Sequence, residues 1–472
     1  MRTLLLGLGL ASALGAGVIG WHGVIKPLPD GLSVLTPPRF ATNVRFLADF
    51  TYVDSKGIRN VDQKIFDEIF EIIRGARRQI TLDVFLFNEY QGTRREETRS
   101  LCAELTEALL EQKRAYPEIE IVLITDPINT VYGGLPSPHL EKLERNGIFV
   151  VMTNLNPLRD SNALYSSLWR WFIQPLGDGG AGLFPNPFGG EPVSLRSDLR
   201  LLNFKANHRK TIVADSSSGW TALVTSANPH DGSSAHGNVA VRFNGLAVPD
   251  LLATERAVAK FSGSKVPSLI DDAFPQIGSA TVRILTEGKI GYVLDRTLAS
   301  TQPGDEIGVA VFYLSDRAVI TGLIAAHNRG VAVRVLLDPN KDAFGIEKNG
   351  IPNRPVAAEL QRAGIPVRWC DTHGEQCHSK LLLMKHGNES ILILGSANFT
   401  RRNLRDFNLE TDVWVGADVT SSVMIEAWSY FERIWSNESG RRYSATYEIY
   451  ADESWLKSWV YRASEISGIG TY

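Results

Sequence analysis

Only three cysteines, Cys102, Cys370 and Cys377, and only four methionines occur in the 472 residues. A disulfide framework is thereby excluded, and no pair of Cys/His clusters has zinc-ligand spacing. Cys370 and Cys377 could bridge in an oxidising compartment, but the plainer reading is two unpaired thiols near a strand end. An excess of one charge is lacking as well. Lys and Arg total 49 against 52 Asp and Glu, a net charge of -3. That gives no general attraction to phosphate-rich polymers and leaves room only for a local basic cleft. Nothing points to disorder, since 44% of residues are hydrophobic and 21% charged, as in proteins with a real core. The length suits two to four domains, or one internally duplicated unit.

One segment lacks charge altogether. Between Arg2 and Lys26 there is no charged side chain, and Thr3–Trp21 is apolar and small. As a helix rising ~1.5 Å per residue it would reach about 28 Å, close to the ~30 Å hydrocarbon core of a bilayer. An uncleaved membrane anchor over residues 1–25 is the favoured expectation, with Trp21 suited to the interface. A cleaved signal peptide is its rival, because Ala11-Ser12-Ala13 offers small residues at a cleavage position. A buried soluble helix is the third reading.

The remainder is written twice. Val44-Arg45-Phe46-Leu47 returns as Val282-Arg283-Ile284-Leu285. Ile65, Ile69, Ile72, Ile73 and Ala76 mark one face of a helix, followed by the apolar run Ile80–Phe87. Ile307–Leu314 stands at the corresponding place in the second half. Ile119–Pro127 and Val331–Pro339 are further strands, each closing on Asp-Pro at Asp126 and Asp338. A helix and a strand follow in both, from Leu140 and from Ala357, with Gly147 and Gly364 at the helix C-caps. The alternation predicts an α/β sandwich with a parallel or mixed sheet. An insertion at about 153–200 distinguishes the first half. It contains Trp169, Trp171, Phe172, Phe184 and Phe188, and reads equally as a cap over the core or as an interfacial lip.

Both halves converge on one pattern. The first has His208-Arg209-Lys210 and later Ser226-Ala227-Asn228; the second has His378-Ser379-Lys380 and later Ser396-Ala397-Asn398. The His-to-Asn separation is the same in each (228 − 208 and 398 − 378, both 20). Each H-x-K opens an apolar strand, Thr211–Ala214 or Leu381–Met384, so His and Lys share a face. One such motif is weak evidence, whereas two inside a longer repeat are strong. Two Lys and two Asn can hold the non-bridging oxygens of a phosphodiester. One imidazole can attack phosphorus while the other protonates the leaving alcohol. Neither metal nor organic cofactor is needed.

With this doubled H-x-K the sequence resembles the phospholipase D superfamily, and more narrowly the bacterial cardiolipin synthase and phospholipase D-like branch, from about Lys26 to about Trp435. The resemblance implies two homologous α/β sandwich halves around one active site, preceded by the N-terminal apolar helix. It implies a phosphohistidine intermediate and phospholipid substrates. His208, Lys210 and Asn228 then face His378, Lys380 and Asn398, with His208 as nucleophile and His378 as acid/base. The carboxylate that usually follows the second motif is Glu410; by simple alignment its first-half counterpart is Ala240, so no acid stands there. An Asp follows the first motif at Asp215 where the second copy has Lys385, which points to a structural contact. His230 and Asp231 could touch substrate, but a turn cap is the better reading.

The expected organisation is an anchor or signal segment (1–25), a first half with the insertion (26–265), a second half (266–440) and a C-terminal extension (441–472). In that extension Trp455 and Trp459, with Tyr461 nearby, could pack on the core or lie on lipid, and packing is the default expectation. The expected activity is a cardiolipin synthase-like phosphatidyltransfer. Hydrolysis to phosphatidate is the first alternative, and a nuclease or other phosphodiesterase of the superfamily the second. A nuclease would want a basic groove. Arg196, Arg200, Lys205 and Arg209 make only a short basic stretch, so no nucleic-acid partner is expected. The expected location is the bacterial cell membrane through a single anchor, or outside the cytoplasm if the signal is cleaved.

Overall fold

A computed structural model describes residues 17–92, 99–176, 182–186, 188–189, 191–217, 219–264, 278–343 and 346–470. The first half contributes β1 (Arg39–Ala48), β2 (Gln79–Val84), β3 (Glu120–Thr125), β4 (Phe149–Met152), β5 (Lys210–Ser216), β6 (Gly219–Thr225) and β7 (Val239–Gly245). The second contributes β8 (Ala280–Thr286), β9 (Glu306–Val311), β10 (Ala332–Leu337), β11 (Val367–Cys370), β12 (Lys380–His386), β13 (Glu389–Gly395), β14 (Thr411–Asp418) and the short β15 (Ser444–Thr446). They form one 15-stranded sheet, ordered β15-β11-β10-β9-β12-β13-β14-β8-β1-β7-β6-β5-β2-β3-β4.

That order reads alike outward from its centre. From β1 it runs β7, β6, β5, β2, β3, β4; from β8 it runs β14, β13, β12, β9, β10, β11. Each half is mixed, one of the two arrangements the alternation left open, with β2–β3–β4 and β9–β10–β11 parallel and the rest antiparallel. The sequence did not reveal the join. β1 pairs antiparallel with β8, Arg39 opposite Val282, so two edges that would otherwise expose unpaired N–H and C=O groups satisfy one another.

Alternate residues of each strand part company. Ile212 and Ala214 of β5 pack with Ile65, Ile69 and Ile73 of α1 (Ile65–Gly75) and with Leu105 of α2 (Leu101–Ala115). Val213 goes instead to a central core shared by Val241, Leu381, Leu392 and Val413 from both halves. Leu382 and Met384 of β12 face the helical side of the second half. Two helices enter the central core as well, Ala247–Phe261 through Leu251 and Leu252 and Ser422–Ser436 through Met424 and Phe431, so the sheet carries helices on both faces, which explains its continuous apolar runs.

Several expectations are corrected here. Cys370 and Cys377 are joined as a disulfide, their Cα atoms 6.1 Å apart. β11 ends beside the chain entering the second motif, so seven residues loop back into bridging range. Trp455 and Trp459 do not pack on the core. They are 79% and 64% exposed on the C-terminal helix Trp455–Ser467, while Tyr461 is buried and its hydroxyl meets Arg317. At ~100° per residue, Trp455 and Trp459 share a face that Tyr461 does not. The anchor over 1–25 falls mostly outside the described residues. Among those described, no helix is long and apolar enough to cross a membrane. The turn Trp21–Ile25 is docked on the insertion through His22 O, which accepts from Asp160 N at 2.9 Å.

Arg209 shows how firmly the first motif is anchored. It points away from its neighbours His208 and Lys210 and is fully buried. Its guanidinium donates to Glu287 at 2.6 Å and Glu255 at 3.3 Å. Arg209→Met leaves two buried carboxylates without their cation. We expect a loss of about 3–5 kcal/mol, read as a lower denaturant midpoint at pH 7. An unchanged midpoint would remove this ion cluster from the account of stability.

Candidate active site

The two histidines sit where β5 and β12 begin, and their surroundings repeat residue by residue. Asp126, after β3, accepts from Asn207 N at 2.7 Å; Asp338, after β10, accepts from Cys377 N at 2.9 Å. The repeated Asp-Pro thus fixes the residue before each His. His208 N donates to Leu409 O, and His378 N donates to Gly237 O, both at 2.8 Å. Each His is therefore hung on backbone from the opposite half.

The side chains cross over too. His208 Nδ1 lies 3.0 Å from Oε2 of Glu410. Glu410 is fully buried, and it also accepts from Ser396 Oγ and Asn403 Nδ2. With the carboxylate so occupied, Nδ1 of His208 carries the proton and Nε2 keeps its lone pair. His378 Nδ1 lies 3.1 Å from Oδ1 of Asn238. That Oδ1 also accepts from Ser226 Oγ at 3.0 Å, and Nδ2 donates to His236 O at 3.0 Å, so the amide is fixed as an acceptor toward His378. The counterpart of Glu410 is therefore Asn238, not Ala240. Ser226 N bonds Val239 O whereas Ser396 N bonds Thr411 O. The first-half loop is two residues shorter, which shifts the alignment by two.

His208, His378, Asn228 and Asn398 all line one cavity of about 430 Å³. The lysines stand behind its wall. Lys210 and Lys380 are almost completely buried, each Nζ donating back to the carbonyl of its own histidine, at 2.5 and 2.7 Å. Each ammonium also lies over an aromatic face, Lys210 5.1 Å from the centre of Phe85 and Lys380 5.2 Å from that of Phe312. The same rings buttress the imidazoles, Phe85 at 4.7 Å from His208 and Phe312 at 5.2 Å from His378. Asn228 Oδ1 accepts from Leu86 N at 3.4 Å, while Asn398 Oδ1 is buried with no partner among the described residues.

Burial dominates the electrostatics. It pushes the His208 pKa down to about 4 despite the opposing pull of Glu410. His378 has no carboxylate partner among the described residues, and burial followed by Lys380 and His236 holds it well below 6.5. Lys210 is pushed down to about 7 by burial, with Glu410 the largest opposing charge. Lys380 is held well below its ordinary value by burial and by Lys210. Glu410 stays below its ordinary value because His208 and Lys210 outweigh its burial. Four basic groups thus face one place where their charge is poorly tolerated, and an anion there would relieve all four.

Other singled-out residues fall into place. Asp215 accepts from backbone N–H groups of Arg77, Arg78 and Gln79, whereas Lys385 lies over Trp428. Asp231 accepts from Cys102 N at 3.0 Å. His230 bonds Ser233 and Tyr90 O, yet its ring lies on the cavity wall. The insertion is both cap and exposed surface. Trp169 is buried and Phe188 lines the cavity, while Trp171 and Phe172 are 65% and 68% exposed. Of the short basic stretch, Lys205 pairs with Asp160 at 2.6 Å and Arg209 is buried, while Arg196 and Arg200 lie over Trp169 and Tyr132.

Residues 294–435 match the family described as cardiolipin synthase, PLD-like domain. That stretch holds His378, Lys380, Asn398 and Glu410. Among solved structures, phosphatidylserine synthase of Haemophilus influenzae Rd KW20 is similar at 12% identity and a TM-score of 0.53, over 92% of this chain and 97% of that one. Polyphosphate kinase from Porphyromonas gingivalis aligns at 13% identity and a TM-score of 0.44, over 90% of this chain and 53% of that one. Nuc, a phospholipase D family member from Salmonella typhimurium, aligns at 20% identity and 0.27, over 35% and 97%. No curated protein sequence matches. The stretch 294–435 is thus similar to a phospholipase D-like domain, and the Haemophilus structure shares the fold of nearly the whole chain.

Proposed function

We propose that this protein transfers phosphatidyl groups between alcohols through a phosphohistidine, in the manner of a cardiolipin synthase. The crossed pairing of two histidines with unlike partners carries this reading. His208 Nε2 attacks phosphorus, forming an N–P bond as the P–O bond to the first alcohol breaks and His378 supplies that alcohol's proton. Nδ1–H of the phosphorylated imidazole then faces Glu410, which balances the positive charge created on the ring. In the second step His378 takes the proton of an incoming alcohol, the new O–P bond forms, and N–P cleavage restores His208. Water as acceptor would give phosphatidate instead. Asn228 and Asn398 serve the phosphate oxygens from the cavity wall, and Lys210 and Lys380 behind that wall offset their charge.

The cavity wall suits an amphiphile. Phe85, Leu86, Ile128, Phe188, Leu201 and Phe204 form an apolar part, and His230, Ser233, His236 and Gln376 a polar one. Outside, Val24, Ile25, Leu164, Leu168, Trp171 and Phe172 are each more than half exposed, on two segments that touch where Gly23 meets Ala163. An apolar collar of this kind favours a lipid surface over an aqueous polymer. Trp171→Ser with Phe172→Ser should weaken sedimentation with vesicles about tenfold and leave turnover of a soluble short-chain substrate unchanged. Equal loss on both substrates would remove the collar from the reading.

The test of function is incubation with liposomes of phosphatidylglycerol and phosphatidylethanolamine, with lipid products identified by mass spectrometry beside His208→Ala and His378→Ala. A diphosphatidyl product absent from both variants supports transfer. Phosphatidate alone makes the protein a hydrolase. Unchanged lipids overturn the lipid reading.

A further inference from the structure

A third imidazole stands on the cavity wall with no role in the scheme above. His236 is 4% exposed. Its Nδ1 accepts the backbone N–H of Gln376 at 3.3 Å, so that nitrogen carries no proton. Burial first, then His230, Lys380 and Arg59, pushes the ring's pKa down to about 3, so it is neutral at physiological pH. A neutral ring whose Nδ1 is an acceptor must carry its proton on Nε2. That Nε2 is buried and has no partner among the described residues. A buried, fixed, unsatisfied donor on a cavity wall costs stability unless a ligand uses it.

The other half repeats the device with a different side chain. Gln376 lies two residues before His378, and Ala206 two before His208. The N–H of Ala206 donates to Oδ1 of Asn408 at 3.1 Å, just as that of Gln376 donates to His236. The two-residue shift that aligns Asn238 with Glu410 also aligns His236 with Asn408. Asn408 lines the cavity, and with Oδ1 engaged by backbone its remaining polar group there is the Nδ2 donor. Each half thus locks the acceptor atom of one side chain and leaves an uncharged N–H for the cavity.

We infer that His236 and Asn408 are substrate-binding residues that donate to oxygens flanking the transferred phosphate, His236 toward the alcohol that leaves or enters beside His378, and Asn408 on the side of His208. The proposal rests on the paired-histidine reading for this division of sides. The His236 ring centre is 5.8 Å from that of His378, which puts the donor next to the group His378 protonates. The chemistry it recognises is a hydroxyl of that alcohol, not an ammonium. Among the described residues no carboxylate lines the cavity, and the nearby faces of Phe312 and Tyr313 already hold Lys380 and Lys348. Neutral donors bind such oxygens without adding charge to a site already crowded with cations.

Two measurements on the full chain test this. In the first, wild type, His236→Leu and His236→Gln are compared on phosphatidylglycerol and on phosphatidyl-p-nitrophenol, whose leaving group has no hydroxyls. His236→Leu should lower kcat/KM on phosphatidylglycerol about 10- to 100-fold and on the nitrophenyl ester less than about threefold, and His236→Gln, which keeps a donor near Nε2, should recover much of the loss. Asn408→Leu should not change the ratio between the two substrates. Equal losses on both would make His236 merely structural and overturn the proposal. The second measurement follows the imidazole ¹⁵N signals of labelled protein as sn-glycerol 3-phosphate is added. The His236 Nε2–H signal should move. If it moves while wild type turns over neither lipid, the transfer reading fails and the donor site stands. If it does not move, the proposal is overturned whatever the turnover.

Discussion

His378→Ala should leave a protein that can be loaded with a phosphatidyl group but not discharged. On phosphatidyl-p-nitrophenol, whose leaving phenolate needs no proton, the variant should release about one equivalent of nitrophenol and stop. On a lipid with an alkoxide leaving group the same variant should be slower than wild type by about 10²–10⁴-fold, the usual share of a positioned acid/base. The stalled species should carry the phosphatidyl group on His208, detectable by mass spectrometry of the peptide around Asn207–Lys210. His208→Ala should show neither burst nor label. The basis is the unequal backing of the two rings. Of the two, His208 alone faces a carboxylate among the described residues, at 3.0 Å, and only a ring so backed gains a counter-charge when its Nε2 bonds to phosphorus. Label found on His378 in a His208 variant would reverse the two roles.

Much of this site was legible before any fold was known, because it is written twice. The H-x-K and S-A-N pairs at equal spacing placed four of the cavity-lining side chains, and period-two alternation placed Lys210 and Lys380 beside them. What stayed hidden depends on contacts between the halves. Asn238 was concealed by a loop two residues shorter than its counterpart, and the same offset concealed the kinship of His236 with Asn408. No spacing rule could show that Glu410 of one half serves the histidine of the other, since that follows from β1 pairing with β8. The lysines were expected to reach into the site beside the histidines, yet each Nζ is drawn back to the carbonyl two residues earlier, where a buried ammonium finds an acceptor and an aromatic face. Trp455 and Trp459 misled because helical spacing shows which residues share a face, not which way that face turns.

Exchanging the two backing residues should move the chemistry in opposite directions. Glu410→Gln keeps the shape and removes the charge. His208 then loses the partner that supports its attack, and Lys210, already pushed down to about 7 by burial, loses its largest opposing carboxylate and becomes neutral near pH 7. We expect a fall in kcat of about 10²–10⁴-fold, comparable to removing a carboxylate that orients a catalytic imidazole elsewhere, with denaturation checked separately because a buried ion pair is being broken. Asn238→Asp adds a carboxylate where the amide now meets His378 Nδ1. The His378 imidazolium is destabilised by burial first and then by Lys380, His236, Lys210 and His208, with no carboxylate among its leading influences. A carboxylate about 3 Å away raises its pKa. As the acid of the first step, His378 acts only while protonated, so kcat/KM falls as pH rises through that pKa. Raising the pKa carries the falling limb to higher pH, by a unit or more on the usual scale of such pairs. The second step needs the neutral ring, so its rising limb moves the same way and kcat at low pH drops. A pH–rate profile of Asn238→Asp that superimposes on wild type would mean that His378 does not carry the proton of either step. A shift to lower pH would mean that the new carboxylate has left Nδ1 and that Asn238 does not set the basicity of its partner.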